Sequence, residues 1–246
     1  MSEIPSGAMR FNSDSQKLEY WNGSAWFQVH TATPGLASAG DVSVGARGIW
    51  CGGYAPGGST NEVRYINISS TGDTQDFGDL NSGANSGAGS GQAASSTRAL
   101  FMSGGAKFNI DFVTFASTGN TVNFGNSTIS NGIYSAALSN STRGIQAGGW
   151  GPGGVNDPSS DVIEYVTIAS TGNAQDFGDL SDGARGGSSG CASSTRGVIA
   201  GGGGSGTEVN TIEFITISTT GNSLDFGDMR EVDRQSASLS NGHGGL

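Results

Sequence analysis

Cysteine occurs only twice in 246 residues, at Cys51 and Cys191, and histidine only twice, at His30 and His243. Cysteines so few and so far apart make neither a disulfide framework nor a zinc-ligand set, so two free, buried or half-buried thiols are expected. Proline is scarce at 5 residues, which rules out a Pro-rich linker and, without a Gly-X-Y period, collagen. Basic residues number 11 against 21 acidic ones, a formal net charge of −10, and no Lys/Arg cluster exists. Phosphate backbones and anionic membrane surfaces need such a cluster, so nucleic acid is not an expected partner. No apolar run approaches the length of a membrane span, and "MSEIPSGAMRF" lacks the basic-then-apolar order of a signal peptide. The expectation is a soluble protein made in a cytoplasm without Sec export and without membrane insertion. Charged residues are only 13% of the chain, too few for a self-repelling disordered coil.

What the chain has instead is glycine, 44 residues of it, with much Ser, Thr and Asn. These are turn residues and small solvent-facing strand residues, the material of many short strands joined by turns. Four copies of one pattern follow residue 39. Each opens with a small-residue strand ending in arginine: "VGARGIWCGG" (44–53), "SSTRALFMSGG" (95–105), "NSTRGIQAGG" (140–149) and "SSTRGVIAGG" (193–202). A variable loop leads to an alternating strand: "VRYINIS" (63–69), "IDFVTFA" (110–116), "IEYVTIA" (163–169) and "IEFITIS" (212–218). Then "STGD", "STGN", "STGN" or "TTGN" precedes "DFGDL", "NFGNS", "DFGDL" or "DFGDM". Period-two alternation predicts half-buried strands, and the Gly-Asn pairs predict tight hairpin turns with positive φ. No segment carries a helical apolar stripe over ten or more positions.

Arg47, Arg98, Arg143 and Arg196 stand 51, 45 and 53 residues apart. That period suits a four-stranded propeller blade and is too long for leucine-rich or hexapeptide repeats. The apolar run closing on Gly-Gly at this period resembles the kelch repeat of β-propellers, although the paired downstream aromatics of that repeat are not recognisable. The resemblance implies an all-β fold of four kelch-like repeats of about 50 residues forming a β-propeller over 39–246. The chain ends in "SASLSNGHGGL", aligned with "SAALSNSTRGI" (135–145), so a fifth repeat starts and stops. Closure of the ring within one chain is the expectation; a blade completed between subunits and an open array are the alternatives.

Several residues look chemical. The four arginines recur with Asp76, Asp176, Asp179, Asp225 and Asp228 of the "DFGD" strings. A half-buried guanidinium needs an acceptor, which predicts structural ion pairs between Arg47, Arg98, Arg143, Arg196 and Asp76, Asp176, Asp225. The second copy has Asn123 and Asn126 there, and its pair should be weakest. A ring of cationic ligand sites is the alternative. Glu164 and Glu213 share a strand column with Arg64 and Asp111, a mixture that reads as a surface column. "GDTQDFGD" lacks the Asp-x-Asp-x-Asp-Gly spacing of a calcium loop, and no metal or other cofactor is expected. No nucleophile elbow, phosphate loop or metal-binding histidine pair is present, so the protein is read as a non-enzyme. A polysaccharide-degrading enzyme remains as an alternative, because repeated aspartates hide a carboxylate pair. Tyr54 and Trp150 are matched aromatics beside "PGG" loops, candidates for stacking on a host-surface glycan; the other reading is a ring that covers a sheet edge.

The first thirty residues lie outside the repeat. "AMRFN", "KLEYWN" and "AWFQV" predict a three-stranded meander turning at "SDSQ" and at "NGS". Phe11, Tyr20, Trp21, Trp26 and Phe27 crowd it, and three short strands cannot bury five rings alone. The meander 1–30 is therefore the expected assembly contact, with 31–38 as a linker. Gly7, Met9, Arg10, Phe11 and Asn12, followed by Lys17, Leu18, Glu19, Trp21, Asn22, Gly23 and Trp26, resemble a motif common in tailed-phage fibre and appendage proteins. The "STGN-x-x-DFGDL" array is similar to repeats in structural proteins of marine phages, cyanophages in particular. Those resemblances imply a virion structural protein, a tail fibre, spike or capsid-decorating piece, docked by its meander with the repeats outward. They also imply other virion proteins and further copies of the chain as partners, with host glycan as a further one.

Overall fold

The computed structural model describes residues 4–12, 17–28, 47–81, 91–102, 108–129, 132–151, 154–204 and 207–240. The predicted linker 31–38, the start of the first repeat, His30, His243 and the last six residues lie outside them. The described residues are all-β. They contain no α-helix, only a 3-10 turn at Gly154–Asn156.

The N-terminal sheet runs β1 (Met9–Asn12), β2 (Lys17–Trp21) and β3 (Trp26–Gln28), antiparallel and in that order. The first repeat sheet holds β4 (Arg47–Cys51), β7 (Glu62–Asn67) and β8 (Gln75–Asp79), with the small hairpin β5 (Tyr54–Ala55) and β6 (Gly58–Ser59) between its first two strands. The second holds β9 (Gln92–Ala94), β10 (Arg98–Phe101), β11 (Asn109–Thr114) and β12 (Val122–Asn126). The third holds β13 (Ala136–Ser139), β14 (Arg143–Ala147), β15 (Val162–Thr167) and β16 (Gln175–Asp179). The fourth holds β17 (Ser189–Ala192), β18 (Arg196–Ala200), β21 (Thr211–Thr216) and β22 (Leu224–Asp228), with the hairpin β19 (Gly203–Gly204) and β20 (Thr207–Glu208). Each repeat sheet is a simple up-and-down meander in chain order.

The sheets pack face to face, and the core lies between them. Phe77, Val63 and Cys51 of the first sheet meet Ala99, Phe101 and Val113 of the second. Leu100, Ile110 and Phe124 of the second meet Val166 and Ile168 of the third. Ile145, Ile163, Phe177 and Leu180 of the third meet Ile199, Ile215 and Ile217 of the fourth. Alternate residues of one strand thus serve two different cores. A four-stranded sheet alone would leave both faces wet, so each sheet is stable only beside a neighbour.

The "TGN" turns differ from the tight hairpins that the sequence predicts. The chain reverses just before them, where Ser117, Ser170 and Thr219 donate backbone N–H bonds to Thr114, Thr167 and Thr216. The Thr-Gly-Asn stretch then reaches sideways to the preceding sheet. Gly119, Gly172 and Gly221 donate to the carbonyls of Phe77, Phe124 and Phe177 at 2.7, 2.8 and 2.6 Å. Thr121, Ala174 and Ser223 donate to Asp79, Asn126 and Asp179. The side-chain oxygens of Asn120, Asn173 and Asn222 accept the amides of the same three residues. The repeated strings are one strip of backbone bonds, written three times between sheets.

This strip tolerates no side chain on the outer-strand glycines that face it, Gly78, Gly125 and Gly178. A Cβ on Gly178, at φ +147°, would meet the carbonyl carbon of Gly221 at 2.4 Å, and Gly78 meets Gly119 at the same distance. A β-bulge beside each of these glycines, at Val63/Arg64, Ile110/Asp111, Ile163/Glu164 and Ile212/Glu213, leaves one outer-strand phenylalanine unpaired.

Closure within the chain, the expected outcome, is not what the structure shows. No hydrogen bond among the described residues joins the fourth sheet to the first. Phe177 is 2% exposed, but its equivalent Phe226 is 53% exposed. The outer strand of the fourth sheet meets no Thr-Gly-Asn strip among the described residues, and that is why its phenylalanine stays open. Gly178→Ala should lower stability by about 2–4 kcal/mol, from backbone strain plus overpacking. Gly227→Ala, at φ +139° with nothing within 4 Å, should cost only the strain, about 1–2 kcal/mol. Equal losses in urea unfolding of the two variants would mean that the close approach is not a structural constraint.

Candidate functional site

The arginines of the repeats do not pair with the "DFGD" acids. Asp76, Asp176, Asp179, Asp225 and Asp228 are exposed, and no ion pair joins any of them to Arg47, Arg98, Arg143 or Arg196. Each guanidinium instead lies over the aromatic of its own sheet's central strand. The distances to the ring centres of Tyr65, Phe112, Tyr165 and Phe214 are 4.9, 4.7, 4.4 and 4.5 Å. Those rings in turn stand edge-on to Phe77, Phe124, Phe177 and Phe226. The phenylalanine and glycine of "DFGD" are what the junction uses; the aspartates contribute backbone and leave their carboxylates exposed. Because no carboxylate is involved, Asn123 and Asn126 do not weaken the second copy.

Three of the four arginines also reach the next sheet. Arg47 donates to the carbonyl of Phe115, Arg98 to Ile168 at 2.9 Å and Arg143 to Ile217 at 2.7 Å. Arg196 has no such carbonyl among the described residues and is exposed. A cation held over a ring and against a carbonyl is a junction clamp, and its charge is not free for a ligand.

The acidic strand column, expected at the surface, is buried. Glu164 and Glu213 are fully buried and Asp111 nearly so. Period-two alternation cannot reveal this, because these central strands are covered on both faces by neighbouring sheets. Each glutamate grips the chain that leaves the preceding sheet. Glu164 accepts from the Ser127 hydroxyl, the Thr128 hydroxyl and the Thr128 amide at 2.5, 2.7 and 2.6 Å. Glu213 accepts from the Ser181 hydroxyl, the Asp182 amide at 3.0 Å and the Ser223 hydroxyl at 2.9 Å. It also pairs with Arg185, a residue the sequence did not single out, which is buried and bonded to the Gly201 carbonyl at 3.0 Å. The only available signal was the string "GARG" at 183–186, a copy of 45–48 that falls outside the repeat register. Burial by itself raises the Glu213 pKa, but Ser181, Arg185 and Ser223 outweigh it and hold the carboxyl below its usual range.

Trp150 is buried, with its indole N–H donating to the Gly203 carbonyl at 2.7 Å and its ring against Gly186 and Tyr134. It seals the joint between the third and fourth sheets, so it offers no face to a sugar. That corrects its assignment as a stacking residue. The backbone of Tyr54 lies in β5, and its side chain is outside the described part. Cys51 is buried and Cys191 half-buried, both free; burial, then the charge of Asp111, pushes the Cys51 thiol up to about 12. That thiol is inert at neutral pH.

The meander has two unlike faces. Cross-strand pairing places Met9 opposite Tyr20, Phe11 opposite Leu18 and Tyr20 opposite Phe27, all five exposed on one side. On the other side Glu19 is buried under Arg10, at 2.9 Å, and Asn12, at 3.0 Å. The Asn12 hydrogen bond and then the Arg10 partner hold the Glu19 carboxyl below its usual range against its desolvation. Arg10 lies 4.1 Å over Trp26, which packs with Trp21. The five rings named from the sequence are therefore divided. Phe11, Tyr20 and Phe27 form an open apolar face with Met9 and Leu18, while Trp21 and Trp26 support the polar side. No hydrogen bond among the described residues joins the meander to the repeat sheets.

A shallow concavity of about 240 Å³ lies at the turn of the fourth sheet, lined by Phe214, Thr216, Thr219 and Leu224. It is smaller than a ligand pocket usually is and holds no titratable group. Among the described residues no three of His, Cys, Asp or Glu gather where they could hold a metal ion. No helix there is long and apolar enough to cross a membrane. What the geometry defines is a scaffold of repeated sheets whose recurring side chains hold sheet to sheet.

Comparison with known proteins agrees at the level of fold. The chain is similar to the solved structure of YjhT, with a TM-score of 0.62 over 92% of this chain and 82% of YjhT, at 12% sequence identity. No protein-family model matches the chain, and no curated protein matches it in sequence.

Arg143→Ala should destabilise by about 2–4 kcal/mol, through a charged hydrogen bond and a ring contact. Arg196→Ala should cost less than about 1 kcal/mol, since only the exposed ring contact is lost. Equal losses in chemical unfolding would refute the clamp. Glu213 also sets a pH dependence. Its folded pKa is depressed, so its contribution is complete above the unfolded glutamate value of about 4.3 and is lost as pH falls through the folded one. Thermal unfolding of the wild type should weaken below about pH 4, and part of that loss should vanish in Glu213→Gln. A parallel acid limb in both proteins would mean that the carboxylate carries no junction stability.

Proposed function

We propose that the chain is a non-enzymatic structural component of a tailed-phage particle, a piece of a fibre, spike or other appendage, held by its N-terminal meander. The four repeat sheets are taken as kelch-like blades of a β-propeller-type array facing outward. The likeness to YjhT supports the blade arrangement, as does the chain order of the strands within each sheet. The resemblance of residues 7–26 to phage appendage proteins supports the setting, with other virion proteins and further copies of the chain as partners.

The observation that carries the docking role is the open face of Met9, Phe11, Leu18, Tyr20 and Phe27. A three-stranded sheet gains little stability of its own. Five adjacent exposed apolar side chains make a patch of the kind that marks an interaction surface. Each one buried against a partner contributes on the order of 1.5–3 kcal/mol. The buried Glu19 and its Arg10 and Asn12 partners keep the opposite face polar, so the sheet has one adhesive side and one wet side. In the repeats, by contrast, the recurring residues are engaged in junctions.

Phe11→Asp combined with Tyr20→Asp should leave far-UV circular dichroism and the main melting transition unchanged and abolish co-sedimentation with particles. Removing residues 1–30 should do the same. Particles that still incorporate both variants would move the anchor to the repeat sheets.

A further inference from the structure

The first and fourth sheets each carry half of a junction that is not completed among the described residues. At every internal junction, one sheet offers a phenylalanine carbonyl and a bulged ring from its outer strand and an arginine from an earlier strand, and the next sheet offers a Thr-Gly-Asn turn, two apolar residues and a strand-end carbonyl. The fourth sheet repeats the first half in full: Ile212, Phe214 and Phe226 stand in the places of Ile163, Tyr165 and Phe177, and Arg196 in that of Arg143. The first sheet repeats the second half: Ile66 and Ile68 stand in the places of Ile215 and Ile217, Trp50 in that of Ile199, and Gly72 in that of Gly221. Phe226, Trp50 and Ile68 are exposed, whereas Phe177, Ile199 and Ile217 are buried. We infer that these two edges complete one another in two copies of the chain, which join head to tail.

The internal junctions name the bonds of this contact. Gly72 and Thr74 donate backbone N–H bonds to the Phe226 and Asp228 carbonyls of the other copy, as Gly221 and Ser223 do to Phe177 and Asp179. Asp73 accepts the Asp228 amide, as Asn222 accepts that of Asp179. Arg196, the one repeat arginine lacking a carbonyl among the described residues, donates to Ile68, as Arg143 does to Ile217. Asp73 beside Asp228 adds a carboxylate that the internal junctions lack, so the contact is weaker than they are.

Two features favour a second copy over a foreign partner. The first is a change of charge. Internal junctions place a buried acid, Glu164 or Glu213, against the segment leaving the previous sheet. The first sheet has Arg64 in that column, and the segment leaving the fourth sheet has Arg230 in the place of Ser181 and Glu231 in that of Asp182, so the acid available to Arg64 there is Glu231. Among the described residues Arg64 pairs with Glu62 of its own strand, in a half-exposed pair worth little. The second feature is the C-terminal segment. Ser238 and Ser240 hydroxyls donate to the Gly190 and Ala192 carbonyls of β17, as Ser139 donates to Ala94 of β9. By sequence this segment stands in the place of the first strand of a following sheet, and among the described residues it pairs with no strand. Leu239 within it is 95% exposed, against 5% for its equivalent Leu138. By the same register it falls beside β4 of the incoming copy, whose sheet has three strands among the described residues. Among the described residues the chain's own first sheet does not fill the place, since Phe226, Trp50 and Ile68 stay exposed. Such a contact is heterologous, and copies will close into a ring or extend as a filament.

The test is sedimentation of the full chain over a concentration series, with far-UV circular dichroism as the folding control. Wild type is expected to self-associate, and Phe226→Asp to weaken association at least about tenfold with an unchanged spectrum. Arg64→Glu should weaken it too, and Arg64→Glu with Glu231→Arg should restore it. A chain that stays monomeric at every concentration overturns the inference. So does association that persists in Phe226→Asp and disappears in Phe11→Asp, which would place the contact on the meander. The inference does not depend on the particle-docking reading: meander variants that still join particles would overturn that reading and leave this one intact, and a monomeric wild type leaves the docking reading intact.

Discussion

Among the described residues, glycine backbone meets glycine backbone at three junctions between sheets, where Gly78, Gly125 and Gly178 lie against Gly119, Gly172 and Gly221. Nothing larger than hydrogen fits on Gly78, Gly125 or Gly178, and the amides on either side form the same strip of bonds each time. The other features depend on that approach. It brings the unpaired phenylalanine of the outer strand under the neighbouring sheet. It brings the arginine within reach of a carbonyl across the gap, and it shuts the acidic column away from water. The sheets are otherwise small and two-faced, and the apolar contacts between them are the core of the protein.

The consequence for function is a division of labour. The residues that recur are engaged in the junctions: arginine over its ring, phenylalanine at its edge, glycine against glycine, glutamate under the departing chain. Residues that do not recur, in the loops after the paired glycines and in the meander, are the ones left to differ from repeat to repeat and to meet other molecules. Trp150 shows that even a loop aromatic can belong to the first group, since its indole closes the joint between two sheets.

The period, the strand positions and the meander were legible in the sequence because each rests on local pattern: alternation, turn residues and spacing. The partners of the repeated residues were not legible, because every one of them lies in a different repeat. Arg143 finds Ile217 across 74 positions, and a backbone carbonyl leaves no mark in the sequence. Glu164 and Glu213 looked like surface residues because alternation distinguishes two faces and does not say that both are covered. The Thr-Gly-Asn strings looked like hairpin turns because the same residues suit a turn and a close approach. Arg185 had no repeat to reveal it. In the meander the strand pattern was clear, yet only the observed register separates Phe11, Tyr20 and Phe27 from Trp21 and Trp26.

The account rests on the strip of bonds between sheets, and amide hydrogen exchange under native conditions measures it directly. The amides of Gly119, Gly172 and Gly221 sit in loops, where exchange is ordinarily fast. They should instead be as protected as the central-strand amides of Val113, Val166 and Ile215 and open only with global unfolding. Exchange of those three glycines at the rate of surface turns, while the central strands stay protected, would mean that each sheet is stable without its neighbour, contradicting the account.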